Sequence, residues 1–204
     1  MPTDPGHLTL AQMEAMRAGA RTAVRTCMGI GAAERVFILT DTITHGIGRL
    51  LCEEASEAGG EVVLHDLEQY GVRPVTALPE SLRAELMSFH PDVTFYAASA
   101  RPGEVTFRTG LRVFLLSELN VRHAHMIGIN SQLMMEGMRS DYRTVASVTR
   151  AVDDMARVAK TIQVTTPDGS DLTNLTQNPE HDWAPNWSPL AECGRAISEP
   201  DPLK

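Results

Sequence analysis

The stretch "RVFILTDTITHGIGRLLCEEASEAGGEVVLHDL", Arg35 to Leu67, decides the fold class. "RVFILT", Arg35 to Thr40, is a short apolar run rich in β-formers, the signature of a strand covered on both faces. "DTITH" then offers capping side chains from Asp41 to Thr44. A helical pattern follows that buries Leu50, Leu51 and Ala55 and stops at Gly59-Gly60. "EVVLHDL", Glu61 to Leu67, is a second strand. The unit is strand, helix, strand, with a connection long enough for a parallel crossover.

Working outward, the cycle repeats. "LPESLRAELMSF" has Pro79 placed early and reads as a helix, and "DVTFYAAS", Asp92 to Ser99, reads as a third strand. "RPGEVTFRTGLRVFLLSEL" contains a further helix, although Thr106, Phe107 and Val113 weaken its helical preference. "RHAHMIGI" is the fourth strand. Upstream, Leu8 to Met28 carries Leu10, Met13, Met16, Ala20 and Val24 at helical intervals and is expected to form one amphipathic helix. Alternation at this spacing predicts an α/β fold: an open, mainly parallel sheet with helices on both faces, Rossmann-like or flavodoxin-like. Beyond it, "SQLMMEGMRSDYRTVASVTRAVDDMARVAK" predicts a short and a long helix that part near Ser140-Asp141, with Ser140 as cap. "TIQVTTPDGSDLTNLT" predicts a hairpin around "PDG". The domain boundaries expected are 1–160 for the α/β domain, 161–176 for the hairpin, and 177–204 for an irregular tail rich in proline and holding both tryptophans.

Bulk composition narrows the function classes. Of 204 residues, 43% are hydrophobic and 22% charged, ordinary for a globular chain that can bury a core without disulfide or metal. The net charge of −8, from 18 basic against 26 acidic residues, argues against a nucleic-acid or anionic-lipid partner and favours a peptide or small molecule. Cys27, Cys52 and Cys193 lie far apart without metal-ribbon spacing, so reduced thiols and a cytoplasmic setting are expected. Buried, inert thiols are expected at Cys27 and Cys52, and Met134, Met135 and Met138 read as packing. No leader and no apolar run long enough to span a bilayer is apparent.

Chemistry is expected first beyond the carboxyl ends of the strands, where "TDTITHGIG" places Asp41, Thr42 and His45 at a helix start. Gly46 and Gly48 form a G-x-G without the third glycine, and lie too far after the strand for a dinucleotide fingerprint. Capping by Asp41 and the threonines is the plainer reading. His123 and His125 alternate onto one strand face and could begin a metal site with Asp41, His45 or Asp66 converging from neighbouring strands. No HExxH and no downstream ligand cluster accompanies them, His181-Asp182 standing in the tail. Framework histidines with hydrogen-bond partners are the expectation, with His123 near the start of its strand.

The order of segments resembles a known family. The residues that carry the likeness are "ERVFILTDTITHGIGRLLCEEASEAGGEVVLHDLEQYGVRP", "DVTFYAASARPGE", "VRHAHMIGINSQLMMEGMRSDY" and "QVTTPDGSDLT", spanning roughly Ala20 to Thr173. They resemble the aminopeptidase T type of thermophilic leucyl metallo-aminopeptidases, in whose superfamily 2,5-dihydroxypyridine 5,6-dioxygenase also falls. The resemblance implies an N-terminal α/β domain followed by a second domain whose glutamates, histidines and an aspartate hold divalent metal. No position here matches a ligand motif; Glu192, in "LAECG", is only the nearest approximation. The implied reading is a truncated or split member, without peptidase activity, cofactor or catalytic residues of its own and completed by a partner chain. Two alternatives stand beside it: a non-catalytic binding, accessory or scaffold protein of a biosynthetic pathway, forming a homodimer or other homo-oligomer, and a metal-dependent hydrolase or dioxygenase-like enzyme built from "TDTITH" and "HAH".

Overall fold

A computed structural model describes residues 9–175, which divide into two compact units, 9–140 and 141–175. The tail expected over 177–204, with His181, Asp182, Glu192 and Cys193, lies outside the described residues. In the first unit the elements are α1 (Leu10–Arg21), β1 (Arg35–Thr40), α2 (His45–Glu57), β2 (Glu61–Asp66), α3 (Glu80–Phe89), β3 (Val93–Tyr96), α4 (Val105–Val113), β4 (Arg122–His125) and α5 (Ser131–Met135). In the second, α6 (Tyr142–Val158) precedes the antiparallel pair β5 (Thr161–Thr165) and β6 (Asp171–Leu175). The long helix thus groups with the hairpin, whereas the sequence places a boundary after residue 160.

The four strands of the first unit are all parallel, in the order β2-β1-β3-β4. Strands of period two send alternate side chains to opposite faces, and β1 shows what that requires. Val36 and Ile38 join one apolar cluster with Met16, Ala20, Leu51 and Met134 of α1, α2 and α5. Phe37 and Leu39 join the other, with Leu82, Leu86, Phe107 and Leu111 of α3 and α4. Both faces are covered, as a continuous apolar run demands. This is the doubly wound sheet expected from the alternation of elements.

Local chemistry sets the element ends. Gly59, at φ +92°, follows the last turn of α2; its amide reaches Ser56 O at 2.9 Å and that of Gly60 reaches Ala55 O at 3.0 Å. These two bonds close a Schellman motif, so the glycine pair stops the helix as expected. Of the helix expected over 8–28, residues 10–27 are helical but change character: α1 gives way at Thr22 to a π-helical turn over Thr22–Cys27. Asp141, not Ser140, caps α6, its carboxylate accepting from the Arg143 amide at 3.0 Å. β4 is shorter than "RHAHMIGI" suggests, because Met126 to Ile129 turn away, the Ile129 amide donating to Met126 O at 3.3 Å. His125 is therefore the last residue of its strand. Cys27 and Cys52 are half-buried rather than fully buried. Met134 is completely buried, with Met135 and Met138 packed partly against the same cluster.

Two contacts fasten α1 to its neighbours. Arg21 forks onto the buried Glu54 of α2, with both nitrogens at 3.0 Å. Gly19 brings α1 so close to α5 that a Cβ there would strike the Met134 carbonyl oxygen, which is backbone and cannot swing aside. Gly19→Ala is expected to cost ~2 kcal/mol or more through overpacking. Urea unfolding that shows no loss of stability in this variant would disprove the close approach.

Candidate functional site

In an open parallel sheet, ligands ordinarily sit outside the carboxyl ends of the strands where the strand order reverses. In the order β2-β1-β3-β4 that place lies between β1 and β3. Asp41 follows the last residue of β1, and Ala97 to Ser99 follow β3. The crevice between them is filled by an ion network. Arg73, from the loop between β2 and α3, donates to Asp41 Oδ2 and forks onto Glu104, with Nε at 2.8 Å and Nη2 at 2.6 Å. The same guanidinium reaches Ser99 O at 2.8 Å and Ser99 Oγ at 3.2 Å. The side chains of Asp41 and Glu104 are 0% exposed and that of Arg73 is 1% exposed.

Asp41 is saturated. Oδ1 accepts from the Ile43 amide at 3.1 Å, the Thr44 amide at 2.9 Å and the Thr44 hydroxyl at 2.8 Å. Oδ2 accepts from the Ser99 amide at 2.9 Å, from the Ser99 hydroxyl and from Arg73. Burial alone would raise this carboxyl, but the hydrogen bonds from Ser99 and Thr44 outweigh it and hold it at about 2. Glu104 is held below the ordinary carboxylate range in the same way: burial opposes ionisation, while Arg73 and the Val75 amide overcome it. A carboxylate with this many donors has no lone pair left to offer a ligand. Of the sequence candidates, Asp41 thus stands in the framework of the crevice, in company with Arg73, Ser99 and Glu104, which sequence reasoning did not single out.

The other candidates separate into two groups. His45 opens α2, and its Nδ1 lies 2.8 Å from Asp66 Oδ1, which also accepts from Thr40 Oγ1 at 2.8 Å. This pair stands at the carboxyl ends of β1 and β2, with the His45 side chain 45% exposed. Thr42 is exposed beside it, its amide donating to Glu68 Oε2 at 3.2 Å. A half-exposed imidazole oriented by a carboxylate can accept a proton. Asp41, turned toward Arg73, does not share in it.

His123 and His125 emerge on the face that packs against α3 and α4. His123 Nδ1 meets Thr94 Oγ1 at 2.8 Å, its register partner on β3, and Nε2 meets His125 Nδ1 at 3.3 Å. The two rings share a hydrogen bond, so those nitrogens face one another and not a common ion. Among the described residues, no group of three or more His, Cys, Asp or Glu side chains is placed to hold a metal. Burial, with the charges of His125 and Arg112, drives His123 down to about 3, leaving it neutral. His125 lies over the Tyr96 ring, centroids 5.4 Å apart and planes 18° apart. Beneath them, a void of about 10 Å³ lined by Phe37, Leu111 and Thr94 is too small for a ligand.

No protein-family model and no curated protein matches this chain. Solved structures do. The 2,5-dihydroxypyridine dioxygenase from Pseudomonas putida KT2440 superposes with a TM-score of 0.50 at 10% identity, over 82% of this chain and 48% of that one. Wild-type AmpT from Thermus thermophilus gives a TM-score of 0.44 at 10% identity, over 78% of this chain and 58% of that one. The chain spans about half the length of the solved proteins it resembles. At such identity, the likeness to the dioxygenase shows a distantly shared fold. Among the described residues no helix is long and apolar enough to cross a membrane.

Removing one partner of a buried pair leaves a naked charge, so Arg73→Met is expected to lower stability by roughly 3 to 5 kcal/mol in chemical denaturation. A loss below about 1 kcal/mol would show that the network is not a structural keystone. His123 fixes a second expectation. The unfolded chain takes up this proton near the ordinary value of 6.5, whereas the folded chain resists until about 3. Its contribution is therefore complete above 6.5 and is lost as pH falls through that window, ~2 kcal/mol by about pH 5. His123→Gln, which keeps a partner for Thr94, should flatten that acid slope; an unchanged slope would place the titration elsewhere.

Proposed function

We propose that this chain supplies the α/β half of an aminopeptidase-like protein, has no peptidase activity by itself, and is completed by a partner chain. The observation that carries the reading is the filled crevice between β1 and β3. Where a doubly wound domain usually binds its ligand, Asp41, Arg73 and Glu104 are buried and fully paired with one another and with Ser99. The domain then serves as framework, and the reacting groups come from outside it. The fold shared with the dioxygenase, over about half of that protein, supports the same division of labour.

On this reading a divalent metal, where the completed protein uses one, is held by residues outside the α/β domain, and the substrate is a peptide or small molecule. An acidic chain whose three cysteines lie far apart, without metal-ribbon spacing, suits a cytoplasmic setting. Within 141–175, helix α6 exposes Val148, Val152, Met155 and Val158, at 59%, 47%, 64% and 78%. Four apolar side chains recurring at helical intervals favour a second protein surface, either another copy or a partner.

The test uses the full chain with added divalent metals. Leucyl and other aminoacyl substrates should not turn over, and elemental analysis should find no stoichiometric metal. Turnover that disappears in His45→Gln would instead establish an independent enzyme with the His45–Asp66 pair as its base. Light scattering should show self-association that Val152→Glu reverses; a strict monomer at high concentration would defeat the homo-oligomer part of the proposal.

A further inference from the structure

One strand away from the ion network lies a polar cluster whose donors have nothing to donate to. Tyr96, the last residue of β3, is completely buried, and its hydroxyl has no hydrogen-bond partner. Arg108, in the first turns of α4, has a buried Nη1 that is likewise without a partner. Buried donors are nearly always satisfied, because leaving one bare forfeits its hydration without return. Two bare donors in one locality are a stronger sign than either alone. Both flank α4 and the ends of β3 and β4: the Tyr96 ring meets the edge of Phe107 of α4 at 6.1 Å and stacks on His125. The Arg108 charge acts on Tyr96, Glu104 and His125 alike.

We propose that Tyr96, Arg108 and His125 form a binding site for the carboxylate of a small-molecule ligand at the carboxyl ends of β3 and β4. Both bare groups are donors, so what they lack is an acceptor, and one of them carries a positive charge. Burial pushes the Tyr96 hydroxyl up to about 12, which keeps its proton in place to be donated. Glu104 shares an electrostatic field with Arg108, but its oxygens accept from Arg73 and the Val75 amide, so it leaves Arg108 Nη1 without a hydrogen bond. Arg112, one turn along α4, is exposed and adds a second cation at the rim.

The charge and donor count select the ligand class. A guanidinium edge and one hydroxyl match a planar, singly charged carboxylate. A phosphate dianion would need more donors than this cluster supplies. Entry is from solvent, past His125, which is exposed at the end of β4 and stacked on Tyr96 at 5.4 Å. For a ligand to enter, the ring must swing aside, giving up its stacking on Tyr96 and its 3.3 Å contact with His123. The placement also obeys the rule that ligands gather beyond the carboxyl ends of parallel strands. It depends on no part of the proposal that a partner completes the protein.

The experiment is a thermal-shift titration of the full chain with sodium acetate against sodium chloride at equal ionic strength. Acetate alone should raise the melting temperature, as a ligand bound only by the folded state must. Arg108→Gln and Tyr96→Phe should each weaken the apparent affinity about tenfold or more, by loss of a charge-assisted or a direct hydrogen bond. Without acetate, Tyr96→Phe should melt no lower than the parent, since the hydroxyl it removes has no partner; this variant keeps the test open should Arg108→Gln fail to fold. Equal responses to acetate and chloride, or an unaltered acetate response in Tyr96→Phe, would overturn the site. Stabilisation by phosphate but not acetate would overturn the carboxylate assignment.

Discussion

The buried contact of Arg73 with Asp41 and Glu104 is the constraint on which the rest of the first unit depends. Three charges have left water here, a transfer that costs several kcal/mol per ion and is offset only when geometry and hydrogen bonds are complete. They are complete: every carboxylate oxygen has a donor, and the guanidinium also reaches Ser99. The network ties the end of β1, the loop after β2, the end of β3 and the start of α4 to a single point. Four segments distant in sequence cannot move independently once they share it.

That point also determines what the domain can do. A doubly wound sheet creates a crevice where its order reverses, and here the crevice is spent on holding the sheet together. Polar groups outside the network lie to either side. Toward β2, His45 and Asp66 make a half-exposed pair. Toward β4, His125 stacks on Tyr96, whose hydroxyl is without a partner, as is Nη1 of Arg108 on α4. The row His65, Leu39, Tyr96, His125 crosses the sheet in register, so both edge strands bring a histidine to the α3 and α4 face. His65 stacks on Phe37 at 4.9 Å, and His123 hydrogen-bonds Thr94, which makes both of them parts of the packing.

Much of the fold was legible in the chain because its causes are local. The apolar run of β1, the glycine pair after α2, the "PDG" turn and the alternation of helix and strand each act within a few residues. Less legible were the π-helical turn after α1, the early end of β4 and the choice of Asp141 as cap, where neighbouring elements compete with intrinsic preference. The candidate site was legible only in part. "TDTITH" marked the right end of the right strand, but not the saturation of Asp41. "HAH" marked a shared face, but not that His125 ends its strand, which moves it to the edge where ligands approach.

Sequence alone determined the class of this protein: an acidic α/β chain with a parallel sheet covered on both faces, followed by a hairpin. Hydrophobic period and turn chemistry are properties of contiguous residues, and they need no partner to be read. Tertiary structure alone decided which polar groups are finished and which are not. Nothing near Arg73 in "YGVRPV" announces two buried carboxylates, and nothing near Arg108 in "TFRTG" announces a missing one. Whether a charge is satisfied depends on groups brought together from 31 or 32 residues away in the case of Arg73. Only the folding of strands and helices into one sheet brings those groups within the reach of a hydrogen bond.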